Sequence, residues 1–350
     1  SNGRTYTPKY QVYAAESGQV VDWNTLSSVS QYKNTYTKIQ QDYLLTYKKK
    51  FGEHNLTLLG GFTTFYEDYS QVSGKVNQYS YAGAPVIPYD KRWWYLDVYP
   101  YGDPETRVVV ADKDNPSEWD RSTVSMLFRA LYSYKGKYNL NGSFRRDGSS
   151  EISPSHRYQN FWALGGAWFM SEEKFMQNQT VFNNLKIKAS LGQLGNQYNA
   201  VHYPYYPNYV AGSSAVFGSN IVPAYELAYK NNPNLKWETV DSYEGGFEAD
   251  FLGSRLHFEA NYYEKRTKDL LTYVNDGSNN FYTNSGSVKN NGFEFTASWN
   301  QKLANGMTFN VSGNITTIRN KVLSVWKPGY AYYDGNSITQ AGSPIGSFYG

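Results

Sequence analysis

No cysteine occurs among the 350 residues, which excludes a disulfide framework, a thiolate metal site and a thiol nucleophile. Long apolar runs are missing too. A membrane-crossing helix needs about 20 consecutive apolar residues, whereas the longest stretch here, Phe161 to Met170, has ten residues and includes two glycines. Histidine is scarce: His54, His156, His202 and His257 lie far apart, and none forms a His-x-x-x-His or Glu-x-x-His pair. A net charge of +3, with lysines and arginines spread along the chain, argues against a nucleic-acid partner. The first residues, Ser1-Asn2-Gly3-Arg4, carry neither the apolar core of a signal peptide nor an initiator methionine. The chain is therefore expected to start mid-protein or after trimming.

What is abundant is aromatic. There are 35 tyrosines, 18 phenylalanines and 9 tryptophans, yet the mean hydropathy is only −0.65. A polar average with many rings suits strands of which one face alone meets lipid. Period-2 alternation recurs accordingly. Phe258, Ala260 and Tyr262 oppose His257, Glu259 and Asn261, and Phe293, Phe295, Ala297 and Trp299 oppose Glu294, Thr296, Ser298 and Asn300. Short turns are expected at Gly52-Glu53, Lys135-Gly136-Lys137, Gly253-Ser254 and Ala304-Asn305-Gly306. Between them fall long stretches without pattern, 79–120, 147–157, 198–235, 272–288 and 324–350. Alternating short and long connections predict an all-β, antiparallel transmembrane barrel meander with about ten to twelve strands. The one medium connection, 171–183, is expected to be a small helical turn capped by Ser171 ahead of Glu172-Glu173. Tyr132, Tyr134 and Tyr138 around one short turn read as an interfacial girdle.

Motifs for chemistry do not appear. There is no Gly-x-Ser-x-Gly elbow, no Walker loop and no Gly-x-Gly-x-x-Gly opening a helix. Asp112-Lys113-Asp114-Asn115 begins like a calcium loop, but Pro116 and Ser117 stand where a ligand and the turn glycine belong. No acid pair is placed across a cleft as a glycosidase requires. Neither catalytic residues, metal nor cofactor are expected. Aromatic residues in the long connections, Trp93, Trp94, Trp119, Tyr205 and Tyr206, are the candidate ligand contacts, because function concentrates in loops on a rigid scaffold.

Several segments taken together resemble the SusC/RagA-type TonB-dependent transporters. Arg145-Arg146-Asp147-Gly148-Ser149-Ser150 is similar to the family's box at a strand's outer end, and Glu172-Glu173-Lys174-Phe175-Met176 to its periplasmic turn. Asn232-Pro233-Asn234-Leu235-Lys236-Trp237-Glu238-Thr239 resembles its most specific box. Thr267-Lys268-Asp269-Leu270-Leu271, Asn284-Ser285-Gly286 and Gly342-Ser343-Pro344-Ile345-Gly346 follow in family order. Arg146, Asp147, Gly148, Trp237, Glu238 and Asp269 are the motif positions carried over. The likeness spans nearly all of 40–350 and is weakest in 1–35 and 79–120.

The resemblance implies that 1–350 is part of one barrel domain, a partial arc of a larger, plugged barrel, with the signal peptide, plug domain and closing strands outside this sequence. It implies an outer-membrane importer of oligosaccharides or peptides, capped by a SusD-like lipoprotein and driven by TonB through the plug, with homodimers a possible further state. Lipid is the other expected partner. The competing reading of the residues alone is a soluble or surface-attached β-sheet glycan-binding protein.

Overall fold

The alternating segments form nineteen strands among the described residues of the computed structural model, which are 2–7, 10–13, 20–24, 28–77, 118–197, 201–218 and 220–349. In chain order they are β1 (Asn2–Thr7), β2 (Tyr10–Tyr13), β3 (Val20–Asn24), β4 (Ser28–Phe51), β5 (His54–Asn77), β6 (Glu118–Tyr134) and β7 (Tyr138–Ser149). Next come β8 (Tyr158–Phe169), β9 (Phe182–Asn196), β10 (Tyr209–Phe217), β11 (Asn220–Leu227), β12 (Glu238–Phe251) and β13 (Leu256–Asn275). The last are β14 (Asn280–Lys302), β15 (Thr308–Thr316), β16 (Arg319–Ser324), β17 (Ala331–Asp334), β18 (Ser337–Gln340) and β19 (Ser347–Phe348).

Twelve of them make one sheet in the order β1-β4-β5-β6-β7-β8-β9-β12-β13-β14-β15, with β16 also on β14. The described pairings are all antiparallel, as in a meander. Two compact units divide the chain, Ser1–Gln40 with Phe65–Arg121, and Gln41–Thr64 with Ser122–Gly350.

Register puts like beside like. Phe258, Ala260 and Tyr262 of β13 stand beside Ala249, Phe247 and Gly245 of β12 and beside Ala297, Phe295 and Phe293 of β14. One face is therefore a continuous apolar band across strands, and much of it is exposed, as at Phe247, Phe293 and Phe295. Contiguous exposed apolar surface of this kind is a contact surface, here one that suits lipid. The other face carries His257, Glu259 and Asn261 beside Asp250, Glu248 and Gly246. Little is buried between layers, because the sheet is a wall.

The four short turns form where expected, with Gly52, Gly136, Gly253 and Gly306 at positive φ (57°, 70°, 70° and 86°), the conformation tight hairpins require. Elsewhere the sequence expectations need correction. The stretch 272–288 is not irregular: β13 and β14 continue to a tight turn at 276–279, their polar Asn and Ser residues held by pairing. Within 198–235 lies the hairpin β10–β11, whose alternation is broken by a bulge between Ala211 and Ser214. Strands β17, β18 and β19 form a small sheet within 324–350. The connection 171–183 contains two 3-10 turns capped at Phe169 and Glu173, without a side-chain cap. Ser171 lies inside the first turn, its Oγ 3.2 Å from Asn184 Oδ1.

Candidate functional site at the long-loop rim

The family-motif residues converge at the rim that carries the long connections. After β7, Ser149 and Glu151 are buried. Glu151 N donates to Ser149 Oγ (3.3 Å), and Glu151 Oε1 meets His202 Nδ1 at 2.5 Å. The next connection is tied in by Tyr205, whose hydroxyl donates to Ser150 O (3.2 Å), and by Tyr203, whose hydroxyl lies 3.1 Å from Ser150 Oγ. Ser155 Oγ donates to Pro233 O (3.0 Å), and Ser153 Oγ reaches the same carbonyl.

Trp237 anchors this arrangement. Its ring meets Phe161 edge-on at 5.6 Å, and its Nε1 donates to Arg157 O (3.1 Å). With Ile152 these rings form a small buried core at the end of the wall. Glu238 follows directly and accepts from Leu271 N (2.7 Å) and Asn196 Nδ2 (2.8 Å). Asp269 sits at positive φ (57°) beside the register shift between Thr267 and Leu270. Its Oδ1 pairs with Lys236 Nζ at 3.0 Å, and its carbonyl accepts from Asn284 Nδ2 (2.8 Å). Tyr229, in the same connection, packs against Tyr273 and Tyr282, and burial with these neighbours pushes its hydroxyl up to about 12.

Asp147 accepts from Arg145 Nε (2.5 Å), while Arg145 Nη2 donates to Ser125 Oγ (2.9 Å). Arg146 lies over the Tyr158 ring at 5.5 Å. Gly148 makes that ring's seat: a Cβ there would come within 2.5 Å of Tyr158 Cε1. These boxes thus act as a clasp that fixes loop bases to strand ends.

Of the five candidate aromatic contacts, Trp119, Tyr205 and Tyr206 are among the described residues. Trp93 and Trp94 lie outside the described residues. Trp119 belongs to the other unit, where it stacks on Tyr69 at 5.6 Å with Arg121 over its ring. Tyr205 is half-buried and bonded, and Tyr206 is exposed. Among the described residues no three His, Asp or Glu side chains are grouped to hold a metal ion.

Alternation marked the polar face but not the ion pairs that link its strands. Lys188 Nζ bridges Glu248 (2.9 Å) and Glu259 (2.5 Å), Lys186 also pairs with Glu248, and Asn261 Nδ2 donates to Glu259 (2.9 Å). A cavity of about 450 Å³ opens on this side, lined by Asn55, Asn141, Lys188, Ser190 and Glu244 among others. The opposite-face charges of β9, β12 and β13 were the available signal, but pairing across strands needs the register.

A meander with one apolar aromatic face, one ion-paired face, tight turns on one rim and clasped long connections on the other is barrel wall from an outer membrane. The chain belongs to the TonB dependent receptor-like, beta-barrel family, which it matches over residues 2–346, and it is of the SusC/RagA type within that non-enzymatic transporter family. It is 30% identical over 337 residues to TonB-dependent receptor P3 of Formosa agariphila, covering 91% of this chain and 31% of that receptor. It is likewise 30% identical over 207 residues to TonB-dependent receptor SusC of Bacteroides thetaiotaomicron, covering 57% of this chain and 20% of SusC. The fold is similar to the RagAB peptide importer in its closed-closed state (TM-score 0.77, 19% identity, 99% of this chain and 36% of that one). The chain thus spans about a third of the length of the first relatives it matches. Membership places it in the outer membrane and displaces the soluble glycan-binding reading.

Proposed function

We propose that this chain is an arc of the barrel of a TonB-driven importer of oligosaccharides or peptides that works with a SusD-like surface lipoprotein. The observation that carries this reading is the clasp: it fixes long outer connections on a wall whose inner face is ion-paired and polar. Such a wall suits a wide, hydrated interior that admits a polymer fragment, with outer loops positioned to meet a cap. The peptide named for the RagAB importer supports peptide cargo, and the resemblance to the SusC/RagA-type family keeps oligosaccharide as the alternative.

On this reading the chain supplies lumen and lipid surfaces, and the plug and its TonB contact lie elsewhere in the protein. An incomplete arc agrees with the sheet edge, where, among the described residues, β1 pairs with Ser28–Lys33 and no further strand pairs with the rest of β4 on that side. Unpaired backbone of that length cannot face lipid, so further strands close the barrel. The test is deletion of the whole gene followed by growth on defined oligosaccharides and peptides. Loss of growth on one class is expected; unchanged growth on every substrate overturns the importer reading.

A further inference from the structure

The apolar band ends within one residue pair on three neighbouring strands, with Tyr262 beside Phe293 and Tyr243 beside Glu264. Going toward the long-loop rim, Tyr243 gives way to Asp241 on β12, Tyr262 to Glu264 and Arg266 on β13, and Phe293 to Asn291 and Lys289 on β14. Arg319 and Lys321 of β16 stand beside Asn291 and Lys289 on that same face. From Phe251 to Tyr243 a strand rises about 26 Å along its axis, or about 20 Å across a membrane at the usual tilt. The charges begin directly beyond the apolar face on each of these strands.

Part of the set is self-paired. Glu264 accepts from Arg266 Nε (2.6 Å) and Lys289 Nζ (3.0 Å), and Asp241 pairs with Lys268 at 2.5 Å and accepts from Gln193 (2.8 Å). Arg319 and Lys321 are exposed and make no ion pair among the described residues. Five cations against two carboxylates leave a surplus of three positive charges on one patch of wall. A merely solvated strand end needs no such surplus, and basic side chains at a membrane border attract anionic headgroups.

We infer that this patch, Arg266, Lys268, Lys289, Arg319 and Lys321 above the Tyr243–Tyr262–Phe293 border, binds the phosphate groups of an outer-leaflet glycolipid. The aromatic border receives the lipid's acyl chains, and Arg319 and Lys321 supply the free cationic valence. Asp241 and Glu264 hold the remaining cations in place. The inference rests on the outer-membrane barrel reading but not on any cargo.

The test uses the full-length transporter in phosphatidylcholine nanodiscs doped with diphosphoryl lipid A, with retained lipid counted by native mass spectrometry. Wild type is expected to retain the phosphorylated lipid over its dephosphorylated form. Arg319→Gln with Lys321→Gln, which breaks no ion pair, should weaken retention about tenfold or more, and Arg319→Lys with Lys321→Arg should restore it. Equal retention of the dephosphorylated lipid, or no effect of the double glutamine variant, overturns the inference. Displacement by inorganic phosphate alone would make this a free-anion site, and loss of a co-purifying acidic protein with lipid retention unchanged would make it a protein interface; either result also overturns it. Heat-modifiable gel mobility of every variant separates this failure from failure of the barrel reading.

Discussion

Asn284 acts as a strand partner for Lys236: its Oδ1 accepts from Lys236 N and its Nδ2 donates to Lys236 O, each at 2.9 Å. One side chain thus satisfies both backbone groups of a residue that no strand reaches, and it ties the Trp237 box to β14. Asn284→Ala leaves both groups unpaired and is expected to cost about 1–3 kcal/mol locally. Asn284→Asp keeps the acceptor and loses the donor, with an intermediate effect. Hydrogen exchange at Lys236 checks both; unchanged protection in the alanine variant would refute the role.

Trp237 combines a ring contact with a donated hydrogen bond. Trp237→Ala opens a cavity beside Phe161 and should cost about 3–5 kcal/mol, whereas Trp237→Phe loses chiefly the bond to Arg157 O and should cost about 1 kcal/mol. The temperature at which the full-length barrel loses its compact gel mobility orders them: wild type, then phenylalanine, then alanine.

Two glycines on β12 and β14 predict opposite outcomes. A Cβ at Gly292 would stand 1.8 Å from Thr317 O, a backbone atom that cannot swing aside. A Cβ at Gly245 meets nothing within 4 Å. Gly292→Ala should therefore reduce folded yield sharply, and Gly245→Ala should leave it unchanged or raise it slightly.

Acid should loosen the turn at 170–176. The Tyr138 hydroxyl, then Trp168 Nε1 and Lys137, hold Glu173 below the ordinary carboxylate value of 4.5. A depressed folded value means the contribution is present above about 4.5 and lost as pH falls through the lower folded value. Trp168 fluorescence should change on acidification through that window, and Glu173→Gln should abolish the transition.

The wall was legible in the sequence because alternation is local: Phe258 to Tyr262 declare their face without any partner. Turns were legible through glycine, as at Gly136 and Gly253. The clasp was visible only as a string of boxes, since Trp237 finds Arg157 O and Glu238 finds Leu271 N through contacts set by register, not by spacing. Strand continuation through Asn280–Ser287 was hidden because asparagine, serine and glycine there look like loop until the pairing with β13 is known. The β10–β11 hairpin was hidden by Gly212-Ser213-Ser214 at its bulge.

The central claim is that alternate residues of this wall meet lipid and water. A direct measurement is available: single cysteines at positions 257 through 262 of the full-length transporter in membranes, any cysteine outside this chain replaced by serine, spin-labelled and scored for collision with oxygen and with a water-soluble nickel chelate. The account predicts oxygen access at Phe258, Ala260 and Tyr262, and chelate access at His257, Glu259 and Asn261. A flat profile, or one with the two phases exchanged, would contradict it.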